Sequence, residues 1–165
     1  MNKTKVIGIF GGTGALGSAL SRKWSISGHQ IIIGSRNAEK AISVAEEINT
    51  ETGNSNVIGS DLMETAKNCE MAILTVPYSS HSETLQQIKP FLGGKILIDT
   101  TVPLSKPVTK VSLPESGSAA LEAQHILGED VHVVSALQNI GSHLVASQES
   151  IDAEVLVCGN SDDAV

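Results

Sequence analysis

The first chemical signal in this chain is a set of glycines and, further on, a basic residue. Gly12-Thr13-Gly14-Ala15-Leu16-Gly17 has glycine at the first, third and sixth positions of a six-residue stretch. Gly12 permits a tight turn, Gly14 lets backbone amides approach an anion without a Cβ in the way, and Gly17 lets a helix pack closely on the preceding strand. Together these suit the binding of a pyrophosphate at a helix amino terminus. Downstream, a second apolar run ends in Gly34-Ser35-Arg36-Asn37. A carboxylate there would accept a hydrogen bond from a ribose 2′-hydroxyl, and none is present. Ser35 instead offers a hydroxyl and Arg36 a forked cation, with Lys40 one helical turn further, which suits a 2′-phosphate. The two signals together point to NADP(H) rather than NAD(H).

Three further loops could carry the nicotinamide end and a second substrate. These are Thr75-Val76-Pro77-Tyr78, Asp99-Thr100-Thr101-Val102-Pro103 and Leu137-Gln138-Asn139-Ile140-Gly141. Each follows a strand-like run, and ligands of open parallel sheets lie beyond the carboxyl ends of the strands. Tyr78 is the only tyrosine; it fits either a site position or a half-buried ring packed on a helix. Asp99 suits substrate binding or the ordering of its own loop.

Other chemistries lack their residues. Ser82 stands four positions after Tyr78, so the Tyr-x-x-x-Lys pair of short-chain dehydrogenases is missing. The serines lack a G-x-S-x-G elbow. His29, His81, His125, His132 and His143 are scattered without metal-ligand spacing, and are expected on the surface or flanking strands. Cys69 and Cys158 have no CxxC companion, which argues against a disulfide framework or a zinc site.

The glycine loop needs a strand before it and a helix after it, and the pattern supplies both. Lys5–Phe10 is a continuous apolar run, the mark of a strand buried on both faces. A helix is expected from Gly14 to about Ser27, then a strand over Gln30–Gly34, a helix from Ala38 to about Asn49 and a short strand over Asn56–Gly59. The alternation continues with a helix over Asp61–Cys69, capped by Ser60 or Asp61, a strand over Met71–Thr75, a helix over Ser82–Phe91 and a strand over Lys95–Asp99. A proline-punctuated loop runs from Thr100 to about Pro114. Ser118–Leu127 reads as a helix, and His132–Leu137 and Glu154–Gly159 as strands. Repeated strand–helix units with right-handed crossovers give a doubly wound α/β domain with a mainly parallel sheet, the NAD(P)-binding Rossmann fold.

Composition agrees. The 165 residues are 41% hydrophobic but only 2% aromatic, so the core must be aliphatic. Eleven basic against 18 acidic residues leave a formal charge of −7, which disfavours a nucleic-acid or anionic-membrane partner. The apolar runs are strand-sized, far short of the roughly 20 residues that span a bilayer. A soluble, cytoplasmic protein is the expectation.

Five segments, taken together, resemble the NADPH-dependent coenzyme F-420 reductases. They are Ile9–Gly17, Ile33–Arg36 with Glu39-Lys40, Ala72–Tyr78, Val133–Leu137 and Val157–Asn160. The resemblance implies hydride transfer between nicotinamide C4 of NADP(H) and C5 of the 8-hydroxy-5-deazaflavin coenzyme F-420, with no catalytic side chain required. It places the pyrophosphate on Gly12–Gly17 and the 2′-phosphate on Ser35, Arg36 and Lys40 with Thr13. Thr75, Val76, Pro77 and Tyr78 would flank the nicotinamide side, and Leu137, Gln138, Asn139 and Ile140 the deazaflavin ring. The family pattern often has His and Pro after the Ser-Ala-Leu segment, where this chain has Gln138 and Gly141. It also continues into a small, largely helical carboxyl-terminal portion that closes the deazaflavin cleft and supplies homodimer surface. On this reading residues 1–165 form the NADP-binding domain, without that portion. Two alternatives remain open on the residues alone: an NADP-dependent reductase of a small imine or carbonyl with Tyr78 or Asp99 as proton donor, and a non-catalytic NADP redox sensor.

Overall fold

In the computed structural model, which describes residues 4–105, 110–147 and 153–165, one sheet organises the chain. Strand β1 (Val6–Phe10) lies in its interior, paired in parallel with β2 (Gln30–Ser35) on one side and β4 (Met71–Leu74) on the other. Beyond β2 comes β3 (Val57–Asp61); beyond β4 come β5 (Ile96–Asp99), β8 (His132–Ser135) and the two-residue β9 (Cys158–Gly159). The order is β3-β2-β1-β4-β5-β8-β9, with β9 antiparallel to β8 and every other pair parallel. The chain winds away from β1 in both directions, so the crevice of the sheet opens beyond Phe10, where β2 and β4 diverge. Register makes that edge even: Gly34, Phe10, Leu74, Asp99 and Ser135 stand in one cross-strand row.

Among the described residues six α-helices cover the two faces. Against one pack α1 (Ala15–Ile26), α2 (Ala38–Thr52) and α6 (Ser142–Ala146), enclosing Ile7, Ile9, Ile31, Ile33 and Ile73. Against the other pack α3 (Leu62–Asn68), α4 (His81–Ile88) and α5 (Ala119–Leu127), around Phe10, Leu74, Leu85, Ile88 and Leu97. Alternate residues of one strand therefore feed opposite cores, which is why β1 reads as an unbroken apolar run. At about 1.5–3 kcal/mol per buried aliphatic side chain, this double core is the principal stabilising term and leaves the edge loops free to vary. Among the described residues no helix is long and apolar enough to cross a membrane.

Several boundaries differ from the sequence expectation for identifiable reasons. Helix α2 runs on to Thr52 and stops at Gly53 in the left-handed conformation, φ 70°. The helix expected over Ser82–Phe91 begins one residue earlier and ends at Ile88, passing into a 3₁₀ turn over Lys89–Phe91 in which Pro90 has no N–H to donate. Helix α3 is capped by Asp61, whose side chain accepts from the Glu64 amide. Strand β8 stops at Ser135 rather than Leu137, and only Cys158–Gly159 of the expected Glu154–Gly159 strand joins the sheet. Helix α6 was not expected. The loop from Thr100 to Pro114 contains β6 (Leu104–Ser105) paired antiparallel with β7 (Lys110–Val111); residues 106–109 lie outside the described residues.

Candidate cofactor cleft

The glycine loop follows β1 directly and is held by its own backbone. The Gly11 amide donates to the Gly34 carbonyl at 3.0 Å, Gly12 to Ile9 at 3.2 Å and Gly14 to Gly11 at 2.9 Å. The left-handed residue is Gly11, φ 84°, one position before the glycine expected to make the turn. Gly12 is needed for space instead: a Cβ there would lie 2.8 Å from Ile33 Cγ2. Gly17 is the most confined of the three motif glycines, since a Cβ would lie 2.6 Å from Gly12 Cα. At Gly14 a Cβ would meet only the Gly11 carbonyl oxygen, a tight contact at 3.3 Å, so protein packing constrains this residue least of the three. Its lack of a side chain serves approach from outside. Gly14 is also the N-cap of α1, no side chain caps that helix, and no acidic residue stands in its first turn. The free amides and the positive end of the helix dipole face the crevice, as an anion requires.

Strands β2 and β4 flank β1, so their loops form the two walls. At the β2 end the Ser35 Oγ accepts from the Asn37 amide at 3.2 Å, which leaves its own hydrogen free to donate. Asn37 caps α2 by accepting from the Lys40 amide at 2.9 Å. Among the described residues the Arg36 and Lys40 side chains make no hydrogen bond or ion pair, and both residues are exposed. At the β4 end Thr75 donates both its amide, at 2.8 Å, and its hydroxyl, at 2.9 Å, to the Phe10 carbonyl. Thr100 does the same to the Leu74 carbonyl one strand further on, at 3.2 and 2.8 Å. These paired donors hold the strand ends together and fix where each loop leaves the sheet.

The walls enclose a cleft of about 160 Å³ lined by Gly11, Thr13, Gly14, Ser35, Arg36, Leu62, Thr75, Val76, Pro77, Ser80 and Thr84. Seven of these were singled out in the sequence; Gly11, Leu62, Ser80 and Thr84 were not. Leu62 could have been found as the first residue of a helix that starts straight from the β3 end. Ala15, Leu16 and Gly17 form the first turn of α1 behind the loop. Lys40 lies in α2, outside the cleft lining.

The remaining candidates lie apart from this cleft. Leu137 has φ 71°, a left-handed conformation costly for a side chain that is not glycine. Gln138 is exposed and donates to the Asp99 carbonyl at 2.9 Å and to Ser135 Oγ at 2.8 Å. Asn139 is exposed and donates to the Glu154 carbonyl at 2.8 Å, whereas Ile140 is buried in the α1/α2/α6 core.

Between these regions lies a cluster that spacing did not reveal. His81, expected at the surface or flanking a strand, is fully buried. Its Nε2 lies 2.8 Å from Asp99 Oδ2, and its Nδ1 lies 3.2 Å from Glu122 Oε2. Asp99 does not reach the cleft: its Oδ1 accepts from the Thr101 amide at 2.9 Å and the Thr101 hydroxyl at 2.6 Å, which orders its own loop. Tyr78 starts the 3₁₀ turn Tyr78–Ser80 and donates its hydroxyl to Glu122 Oε2 at 3.0 Å. Burial first, then the hydrogen bond and charge of Glu122 and the charge of Asp99, push the Tyr78 hydroxyl above its ordinary 10.0. The signal for His81 was available, because it falls on the same helical stripe as the core residues Leu85 and Ile88.

Comparison with known proteins agrees with the geometry. The chain is 34% identical to the F420-dependent NADP reductase of Methanothermobacter marburgensis and 36% identical to that of Methanocaldococcus jannaschii. Each match covers 96% of this chain, and 75% and 74% of the relative respectively. Among solved structures, the pyrroline carboxylate reductase of Plasmodium falciparum with NADP bound superposes with a TM-score of 0.60 at 16% identity, over 96% of this chain and 49% of that one. That likeness concerns the fold, which is the Rossmann fold. The sequence pattern of the family described as "NADP oxidoreductase coenzyme F420-dependent" matches residues 6–103, from the start of β1 into the loop beyond β5, just short of β6. With more than half of the chain inside that pattern and two reductases above 30% identity, this protein belongs to the coenzyme F420-dependent NADP oxidoreductase family.

Proposed function

We propose that this chain binds NADP(H) in the glycine-loop cleft and passes a hydride between it and the deazaflavin coenzyme F-420. The observation that carries the reading is the composition of the β2 end. Ser35, with a free hydroxyl hydrogen, and Arg36, unpaired among the described residues, line the same cleft as Gly11, Thr13 and Gly14, and no carboxylate of the described residues lines it. Arg36 would hold the 2′-phosphate, the amides at the start of α1 the pyrophosphate, and Pro77 would wall the ribose on the β4 side.

When bound, the nicotinamide supplies or accepts the hydride, and the deazaflavin is its partner in the exchange. The protein's share is positioning and water exclusion, which is consistent with a cleft that shows no nucleophile activated by a base. Leu137, Gln138 and Asn139 would form the deazaflavin side, with Gln138 tying that loop to the β5 end; Ile140, expected beside them, is instead buried in the core beneath the loop. The alternative in which Asp99 gives a proton to a carbonyl substrate is disfavoured, since both its oxygens are engaged inside the protein. The reading takes residues 1–165 as one NADP-binding domain, acting in the cytoplasm as a homodimer.

The test is spectrophotometric. NADPH and oxidised coenzyme F-420 are mixed with the purified chain, with NADH as control, and the visible absorbance of the deazaflavin is followed. Bleaching with NADPH and little with NADH is expected. NADPH binding without bleaching would overturn hydride transfer by residues 1–165 on their own and leave two readings, a deazaflavin cleft completed by the carboxyl-terminal portion of the family and a redox sensor, which a repeat with that portion joined to the chain separates.

A further inference from the structure

We propose that Glu122 is a positioning residue for the cofactor cleft: by accepting the hydrogen bond of the Tyr78 hydroxyl, it sets where the turn after β4 stands and so how closely NADP(H) is held. The inference rests on the NADP(H) reading of the cleft. It moves Tyr78, expected to flank the nicotinamide, to the support behind that wall.

The two walls of the cleft are anchored differently. On the β2 side the chain passes from Ser35 almost at once into α2, which Asn37 caps. On the β4 side Thr75 makes the last bonds to the sheet, both to the Phe10 carbonyl, and the chain then runs free of it. Pro77 has no amide hydrogen to give. The bonds that follow close on the turn itself: the Ser80 amide donates to the Pro77 carbonyl at 2.8 Å, and the Thr84 hydroxyl to the Ser80 carbonyl at 2.7 Å. They shape the turn without placing it against the rest of the molecule. Tyr78 supplies that link, since its hydroxyl donates to Glu122 Oε2 at 3.0 Å and so joins the turn to α5. His81, the first residue of α4, is held separately, with Nε2 2.8 Å from Asp99 Oδ2 at the end of β5.

The parts of this link suit a fixed support. The Tyr78 ring lies tilted by 35° against the His81 ring, with centroids 5.5 Å apart, so the side chain is braced along its length. A phenol has little rotamer freedom to lose, and a carboxylate is a stronger acceptor than a neutral oxygen. The titratable groups around the hydroxyl are Glu122 from α5, Asp99 from the end of β5 and His81 from α4. Burial and the two carboxylates hold the hydroxyl above its ordinary 10.0, which keeps it a donor throughout the neutral range. Pro77, directly before Tyr78, and Ser80, two residues after it, both line the cleft, with Ser35 and Arg36 on the other wall. Release of Tyr78 therefore loosens one side of the grip on a nucleotide.

Three variants of the full chain test this. Tyr78→Phe removes one oxygen and keeps the ring, Glu122→Ala removes the acceptor, and Glu122→Gln keeps an acceptor oxygen at the same reach. Titration calorimetry gives the NADP+ affinity and thermal melting checks the fold. Because Tyr78 is the only tyrosine, phenolate absorbance reads its ionisation without overlap. Tyr78→Phe and Glu122→Ala should each bind NADP+ about fivefold more weakly while still folded at the titration temperature, with Glu122→Gln within about twofold of wild type. The double variant Tyr78→Phe/Glu122→Ala should bind no more weakly than either single one, because both remove the same bond. Tyr78 should ionise at a lower pH in Glu122→Ala than in wild type. Rescue by glutamine and the shared loss are outcomes that a general loosening of the fold would not give. Unchanged NADP+ affinity in folded Tyr78→Phe overturns the proposal, as do additive losses, a glutamine variant as weak as the alanine one, or the same Tyr78 ionisation with and without Glu122. If Glu122→Ala melts below the titration temperature, Tyr78→Phe decides alone. A wild type that binds no NADP+ overturns the cofactor reading itself, and the positioning role falls with it.

Discussion

The glycine loop and the segment after β8 lie at the same carboxyl edge of one sheet, and they are built in opposite ways. Between Ile9 and Gly17 the shape is set by backbone alone: three short backbone hydrogen bonds, one left-handed glycine and two glycines with no room for a Cβ. After β8 the chain turns through a left-handed leucine, leaves Gln138 and Asn139 exposed, and is tied down by amide side chains reaching the Asp99 and Glu154 carbonyls. Further along, Val155, Leu156 and Val157 are exposed, Leu156 to 79%. A site made of backbone tolerates few residue types and holds one shape. A site made of side chains lets its ligand preference change without disturbing the sheet. The family pattern, which matches residues 6–103, includes the first kind of construction, whereas Gln138 and Gly141 fall in the second.

The sharpest way to break that contrast is Gly17→Ala. The added methyl would lie 2.6 Å from Gly12 Cα and 2.7 Å from both the Gly11 carbonyl oxygen and Thr75 Oγ1, so α1 or the loop must shift. A loss of about 3 kcal/mol in denaturant unfolding is expected, at the upper end for overpacking. A variant as stable as wild type would show that the loop is not sterically fixed. Arg36→Ala comes next. NADP+ binding should weaken by about 2–3 kcal/mol with NAD+ binding little changed, as for a lost charge-assisted phosphate contact; equal losses for the two cofactors would remove Arg36 from the 2′-phosphate site. Smaller still is Gly14→Ala, which meets only one carbonyl oxygen, at 3.3 Å. Calorimetry should show NADP+ weakened by about 1 kcal/mol with the melting point nearly unchanged. The reverse outcome would make Gly14 a packing residue and not an approach residue.

The same contrast explains what could be read in the sequence. The strands β1, β2, β4 and β5 and the helices α1, α2, α3 and α5 follow from apolar runs, helical spacing and caps, all local properties. The glycine motif is local too, although the turn residue proved to be Gly11, because G-x-G-x-x-G fixes spacing and not the sign of φ. What sequence could not supply was contact between distant residues. His81, Asp99 and Glu122 come from three elements and meet only because β4 and β5 are neighbours and α5 packs beside α4. Helix α6 was missed because five residues are too few to display a period. The expected Glu154–Gly159 strand was overread because Val155–Val157 is apolar, yet these residues are exposed and only Cys158–Gly159 pairs.

The two cysteines report on the two regions at little cost in stability. Cys69 is 3% exposed, in the core beneath β1, where a Cβ on Gly8 would lie 2.8 Å from its own Cβ; Cys158 is exposed on β9. Since the thiolate is the reactive form, iodoacetamide at mild alkalinity should modify Cys158 in the native protein and reach Cys69 only on unfolding. Burial pushes the Cys69 thiol above its ordinary 9.0, against a smaller lowering by the charge of Lys95. A raised folded-state value means the native protein holds that proton more tightly than the unfolded chain does. The stability this contributes is fully present below 9.0 and declines as pH rises from there through the higher native value. Unfolding midpoints measured on either side of pH 9 should therefore fall more steeply for wild type than for Cys69→Ala, whose alkaline loss comes from other groups alone. Parallel decline in the two proteins, or modification of native Cys69 as fast as Cys158, would show that the core under the glycine loop opens as readily as the segment beyond β8.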